Sequence, residues 1–431
     1  VSGAKQGRSQ GAAGEGVARR AVEASWRIEW PRLVAGLTRV TGDIAAAEEL
    51  AQDAYVAALE QWPRDGVPPN PGGWLMLTAK HRAVDRIRRD AVFAGKLALL
   101  GHDLLTEQQP GPDELASQDD PLEDDLLRMI FTACHPVLSA PARAALTLRM
   151  VGGLTTAEIA RAYLVSESTV AQRIVRAKRT IAAEAVPYEV PRDAELTARL
   201  DSVLEVIYLI FNEGYSATSG ADWVRAELCE DAVRLARILA GLLPDEPEAH
   251  GLAALLELQA SRIRARGAAG GEVVLLADQD RARWNGLAIR RGFAALGHAH
   301  ALNRRRALLP GPYTLQAAVA AAHAMAPTPA DTDWRRIAGL YAVLAQRFPS
   351  PVIELNRAVA VAMLHGPAAG LELADAVAQP LGDYHLLHAV RADLLTRLGR
   401  TAEARAEFTR AAELTHNDAE RALLLRRASE S

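Results

Sequence analysis

The sequence predicts an all-α chain in which two small helical domains, the second a helix-turn-helix, are joined by an acidic linker and followed by a large all-helical, repeat-like domain. Three observations predict it. Ala, Leu and Arg dominate while aromatic residues make up 5%, a mixture that favours helices over sheets. Apolar residues recur at three- and four-residue spacing through most of the chain. Gly- and Pro-rich breaks separate these segments, and 431 residues leave room for several cores.

The first sixteen residues, VSGAKQGRSQGAAGEG, hold no apolar stripe, and composition predicts a disordered leader over 1–16. Two far-separated cysteines, Cys134 and Cys229, cannot build a disulfide framework or a four-thiolate zinc site. That usage fits a reducing, cytoplasmic setting. No run long and apolar enough to cross a membrane occurs, and the opening residues lack signal-peptide order. The formal net charge of −4 is unevenly spread. Leu97–Leu127 holds nine acidic and no basic residues, whereas Leu126–Glu184 holds eight basic and three acidic ones, so a nucleic-acid partner stays open.

A first domain is expected over 17–95. Trp30, Leu33, Val34, Leu37 and Val40 mark one helix ending near Thr41-Gly42. Ala47, Leu50, Ala51, Ala54, Ala58 and Trp62 mark a second, ended by Pro63. The segment Pro63–Gly73 is a loop, and a third helix runs from Trp74 to about Asp90. On the second helix Glu48, Glu49, Gln52 and Asp53 form an acidic face, awkward for DNA and suited to an arginine-rich protein partner, although such faces are ordinarily only solubilising. The third helix carries Lys80, His81, Arg82, Arg86, Arg88 and Arg89, with Leu75, Leu77, Ala79, Ala83, Val84 and Ile87 as its buried side. Basic residues after an Asn-Pro-Gly-Gly loop and Trp74 suit single-stranded DNA, where cations neutralise phosphate and an unstacked base sits in the loop.

The acidic linker spans 96–125, and a second domain of four short helices covers 126–186, with breaks at His135-Pro136 and Gly152-Gly153. Leu154–Ile181 carries the sharpest signal. Thr155 or Thr156 caps one helix, Ser166 or Ser168 caps the next, and Val170, Ile174 and Ala177 face inward. Thr169, Gln172, Arg173, Arg176 and Arg179 remain on the other face, as a recognition helix in a major groove requires.

Residues 187–431 are helical segments separated by Gly or Pro. Two pairs, from Val352 and from Leu386, look alike. Gly366 and Gly399 lie 33 residues apart between the helices of each pair, close to the tetratricopeptide period of about 34. Ala404, Phe408 and Ala411 supply the small-large-small spacing by which such helices nest. Asp331, Asp333, Trp334, Glu354, Asn356 and Arg357 are candidates for a polar site there, with Asp331 as helix cap and Trp334 as core the competing reading.

Taken together, Glu48 to Asp53, Asn70-Pro71, Trp74-Leu75, Ala79, Asp85, Arg88-Arg89 and Thr155 to Arg179 resemble the extracytoplasmic-function sigma factors of bacterial RNA polymerase over Val17 to about Ala185. The resemblance implies a sigma region-2-like domain and a region-4-like helix-turn-helix domain. It implies core-polymerase binding by Glu48, Glu49, Gln52 and Asp53, and −10 melting by Asn70, Trp74, Lys80, Arg82, Arg86, Arg88 and Arg89. It implies −35 reading by Ser166, Ser168, Thr169, Gln172, Arg173, Arg176 and Arg179. Leu164 stands where the family often has Gly, which predicts a slightly different turn. The remainder resembles a subgroup with a tetratricopeptide-like extension thought to regulate activity, through phrases such as NEGY at Asn212 and ELNRAV at Glu354.

The implied function is promoter recognition with core RNA polymerase and promoter DNA as partners, no catalytic step, no cofactor and no membrane, and a C-terminal domain open to a peptide or protein ligand. The competing function is a free-standing helix-turn-helix regulator with a peptide-sensing domain, which leaves Asn70–Asp90 and the Glu48–Asp53 face without a task. A helical enzyme fits least: His298, His300 and Cys134-His135 lack His-Glu-x-x-His, Cys-x-x-Cys or phosphate-loop spacing.

Overall fold

The computed structural model describes residues 3–100, 122–220, 223–267 and 273–430. They form helices almost throughout, in two compact units: residues 1–161 with 165–206, and residues 162–164 with 207–431. No described helix is long and apolar enough to cross a membrane.

In the first unit, α1 spans Gly3–Thr41 and stops where Gly42 takes a φ of 67°. Helix α1 takes in residues 3–16 of the segment whose composition reads as a leader. Trp30, Leu33, Val34 and Leu37 are almost fully buried. The second helix, α2 (Ile44–Asp65), begins on Asp43, whose Oδ1 accepts from Ala45 N at 2.6 Å. It does not stop at Pro63. Pro63 removes one donor and crowds the Leu59 carbonyl, but it lies in the last turn, and the helix closes where Gly66 donates to the Trp62 carbonyl at φ 85°. Helix α3 spans Pro71–Leu100, longer than the Trp74–Asp90 expected. Leu75, Ala79, Ala83 and Val84 form its buried stripe, but Leu77 is 56% exposed, since the i, i+4 row through Leu75 leaves it on the outer face. The acidic linker expected over 96–125 falls mostly on 101–121, outside the described residues.

Helices α4 (Leu122–Ala133), α5 (Ala140–Met150), α6 (Thr156–Tyr163) and α7 (Glu167–Ala183) follow, with breaks at the positions sequence pointed to. The first half of α8 (Asp193–Tyr215) packs on them: Ser202 donates to the Cys134 carbonyl at 2.6 Å and Arg199 to that of Phe131 at 3.1 Å.

The second unit comprises α9 (Ala226–Leu242), α10 (Pro247–Ala260), α11 (Gly286–Arg305), α12 (Pro312–Met325), α13 (Trp334–Arg347), α14 (Pro351–His365), α15 (Pro367–Ala376), α16 (His385–Arg397), α17 (Thr401–Leu414) and α18 (Asp418–Glu430). Helices α14 with α15 and α16 with α17 form the two look-alike pairs. Gly370 lets α15 close on α14, because a Cβ there would lie 2.4 Å from that of Ala362. Ala404 is buried at the matching place on α17, with Phe408 and Ala411 beside it. A two-residue parallel pairing, Ser219 with His416 and Gly220 with Asn417, ties the end of the chain back to the start of this unit.

Candidate functional site

The acidic face of α2 is divided in its surroundings. Glu49 and Asp53 are exposed and meet the basic side of α3, Arg86 Nη1 lying 2.7 Å from Glu49 and Arg82 Nη1 3.5 Å from Asp53. Gln52 leans on Glu48 at 3.4 Å. Glu48 itself is only 8% exposed. Its Oε1 accepts from Arg149 at 2.7 Å through Nε and lies 2.6 Å from Nη2, while its Oε2 meets the Lys178 ammonium. Burial works against this carboxylate, but the charges of Arg149 and Lys178 outweigh it and hold the carboxyl below its ordinary range.

Helix α3 begins on Asn70, whose Oδ1 accepts from Gly73 N at 2.9 Å. A Cβ at Gly72 would lie 2.4 Å from the Glu29 carboxylate, so a larger residue there would displace that side chain. Trp74 is half-buried, edge-on to Trp62 with centroids 5.5 Å apart. Lys80, Arg82 and Arg86 are half-buried and Arg88 is exposed. The Arg89 side chain lies outside the described residues.

Both helices of the helix-turn-helix are capped at their N-termini. Thr155 and Glu158 form a reciprocal box: Thr155 N donates to Glu158 Oε2 at 2.7 Å and Glu158 N to Thr155 Oγ1 at 3.2 Å. Ser166 accepts from Thr169 N at 3.2 Å and meets the hydroxyls of Ser168 and Thr169. The expectation of a different turn at Leu164 does not hold. Leu164 takes φ 50°, and Val165 N returns to the Ala160 carbonyl at 3.1 Å, the bond that ends a helix on a left-handed residue and offsets the strain. Val170, Ile174 and Ala177 are buried; Gln172, Arg176 and Arg179 are exposed, with Thr169 and Arg173 half-buried beside them.

The two small modules close on one another. Trp26 Nε1 donates to the Gly153 carbonyl at 2.8 Å, and Trp30 Nε1 to that of Arg149 at 3.0 Å. The Arg149 guanidinium also lies over the Trp30 ring at 5.0 Å. Asp125, fully buried, takes Arg39 at 3.1 Å and Arg128 at 2.7 Å. A surface groove of about 320 Å³ runs along this seam, lined by Glu48, Glu49, Gln52, Arg149, Ala171 and Lys178. Sequence reasoning missed Arg149 and Lys178 as site residues. Lys178 did leave a signal: it is i+4 from Ile174 and i−3 from Ile181, and so flanks the buried stripe of α7. Arg149 interrupts the apolar run Leu148-Arg149-Met150.

In the second unit, the polar residues weighed as a site divide otherwise. Asp331 accepts from Thr328 N at 3.1 Å, Asp333 caps α13 through Arg336 N at 2.9 Å, and Trp334 packs edge-on to His323. Glu354 and Arg357 pair with each other at 2.7 Å. These are local caps and packing. His298 stacks edge-on with His250, and among the described residues no three His, Cys, Asp or Glu side chains gather to hold a metal ion.

Comparison with known families gives three matches: sigma-70 region 2 over residues 29–92, sigma-70 region 4 over 128–181, and a family of unknown function, DUF6596, over 199–300. An uncharacterized protein of Rhizobium meliloti is 44% identical over 396 residues, covering 91% of this chain and 92% of the relative. The ECF RNA polymerase sigma factor SigK of Mycolicibacterium vanbaalenii is 31% identical over 142 residues, 32% of this chain and 68% of the relative. SigL of Mycobacterium tuberculosis, another ECF RNA polymerase sigma factor, is 29% identical over 144 residues, 33% of this chain and 76% of the relative.

Proposed function

The chain belongs to the ECF RNA polymerase sigma factors, and from that premise we propose how its residues divide the work of promoter recognition. Helix α7 reads the −35 element through Thr169, Gln172, Arg173, Arg176 and Arg179, with Ser166 and Ser168 at its N-terminus. Helix α3 and the loop before it hold the melted −10 strand through Asn70, Trp74, Lys80, Arg82, Arg86, Arg88 and Arg89. The α2 face of Glu48, Glu49, Gln52 and Asp53 binds core polymerase, whose active site performs the chemistry. The observation that carries this reading is the exposure of Gln172, Arg176 and Arg179 on a helix capped by Ser166 and preceded by a helix capped by Thr155, which gives long donors a rigid frame for base edges and phosphates.

The packed first unit is the resting form. Two modules that share a promoter must reach elements apart from each other, and Glu48 cannot meet polymerase while Arg149 and Lys178 hold it. Engagement therefore parts the modules and exchanges an internal ion cluster for an external one. The second unit regulates this step, its paired helices offering the kind of stacked surface that takes a peptide or protein ligand.

Start-site mapping on genomic DNA of the source organism tests the reading. Core enzyme with the full chain should initiate at a defined set of sites that core alone ignores, and the isolated chain should bind those sites poorly. Absence of any chain-dependent start would end it.

A further inference from the structure

In the second unit three arginines gather around aromatic rings. The Arg266 guanidinium lies 3.7 Å from the Tyr215 centroid and 5.4 Å from that of Trp223. Arg262 lies 5.7 Å from Tyr215 and 5.8 Å from Trp284, and Arg281 lies 5.0 Å from Trp284. Arg262 thus links the other two through shared rings.

Their hydrogen-bond acceptors are all neutral. Arg262 reaches Gln259, Arg266 the Tyr215 carbonyl at 2.9 Å, and Arg281 the carbonyls of His323 and Ala326 and the Thr332 hydroxyl. Among the described residues none of the three forms an ion pair with a carboxylate. Asp331, whose charge acts on Arg281, is bound at 2.7 Å by the Thr328 hydroxyl. Among the described residues several buried donors find no acceptor: Nε of Arg266 and Arg281 and the indole N–H of Trp223 and Trp284.

Three cations held together with no carboxylate bonded to them among the described residues are costly, since burial and mutual repulsion both oppose the charged form. The neighbours register it. Burial and Arg262 lower the proton affinity of Arg266 and Arg281, and burial with Arg262 and Arg281 pushes the His323 imidazole down to about 4. A purely structural cluster is normally closed by a carboxylate; planar forks beside unsatisfied N–H donors are the chemistry that binds an oxyanion.

We propose that Arg262, Arg266 and Arg281, with Tyr215, Trp223 and Trp284, form a binding site for an oxyanion, the carboxylate or phosphate of a small ligand whose remaining part rests on the rings. Calorimetric titration and thermal melting of the full chain with sodium phosphate, with sodium citrate, and with sodium chloride at equal ionic strength test it. Phosphate or citrate should bind stoichiometrically and raise the melting temperature beyond chloride, and whichever acts identifies the group. Arg262→Gln should weaken that binding at least tenfold while melting, without anion, no lower than the parent, because it removes a repulsive charge. Should the glutamine variant not fold, Arg262→Lys, which keeps the charge and loses the fork, should weaken binding severalfold. No anion-specific binding by the parent chain, or binding retained in both Arg262→Gln and Arg281→Gln, would overturn the assignment.

Discussion

Arg149 and Glu48 lie 101 positions apart and meet side by side, with Nε and Nη2 of the guanidinium 2.7 and 2.6 Å from one carboxylate oxygen. Each side chain is 11% exposed, and Lys178, 15% exposed, completes the cluster on the other oxygen. A residue of the implied polymerase-binding face is thereby held inside the protein by the module that carries the recognition helix.

Acid should release this hold. The Glu48 carboxyl is held below its ordinary value of 4.5, so its contribution to the packing is fully present above that value and is lost as pH falls through the lowered one. Glu48→Gln should remove the same contribution at neutral pH, leaving two buried cations without a counter-charge at a cost of about 3–5 kcal/mol. Distances between spin labels at Glu60 and Glu184, both exposed, should broaden in the variant at neutral pH and in the parent only below the ordinary carboxylate range. A narrow distribution in the neutral variant would remove the cluster from the closing mechanism.

Lys178→Gln loosens the seam and leaves the α2 carboxylates in place. If engagement requires the modules to part, the open fraction limits apparent affinity. The variant should bind core polymerase about tenfold more tightly, or about 1.4 kcal/mol, in an equilibrium assay without DNA. Unchanged or weaker binding would argue that polymerase takes the closed form.

Arg88→Glu places a negative charge on an exposed position of α3. Permanganate reactivity of promoter thymines, which reports melting, should fall at least tenfold, whereas binding of the variant to core enzyme should stay within about twofold, because phosphate contacts form only with melted DNA. Equal losses at both steps would contradict the assignment of α3.

Arg176→Ala on the exposed face of α7 should cost the holoenzyme about 1–3 kcal/mol of promoter affinity if the guanidinium makes a bidentate base contact, and should relax preference at one −35 position. The buried stripe of Val170, Ile174 and Ala177 is untouched, so the melting temperature should not move. A uniform loss across −35 variants would mark a phosphate contact instead.

Leu164→Gly relieves a side chain held at φ 50° and 53% exposed. A left-handed non-glycine residue costs about 1–2 kcal/mol, partly offset by the freedom glycine adds to the unfolded chain. A net gain of up to about 1 kcal/mol, read as a higher melting temperature, is expected, and a loss would show that the leucine side chain stabilises the fold.

What was legible in the sequence was local. The caps at Thr155 and Ser166, the inward stripe of α7 and the Ala404-Phe408-Ala411 nest depend on residues within a turn or two, where spacing dictates geometry. What was not legible depends on distant partners. Nothing near Glu48 tells that Arg149 and Lys178 will bury it, and the acidic face of α2 reads as uniform although one of its members is enclosed. Leu164 misled for a different reason: its strain was anticipated, but not the Val165-to-Ala160 bond that offsets it. Pro63 misled likewise, since a proline near the end of α2 removes a donor without ending the helix.

The pairing of Arg86 with Glu49 and of Arg82 with Asp53 joins the two faces for which different partners are proposed. A ligand that takes those carboxylates leaves the guanidiniums to an incoming phosphate, and a phosphate that takes the guanidiniums leaves the carboxylates to an incoming cation. Under the proposed roles of α2 and α3, linkage would make each ligand raise the other's affinity by the same factor, and the short span between the two helices would act as a reciprocal coupler.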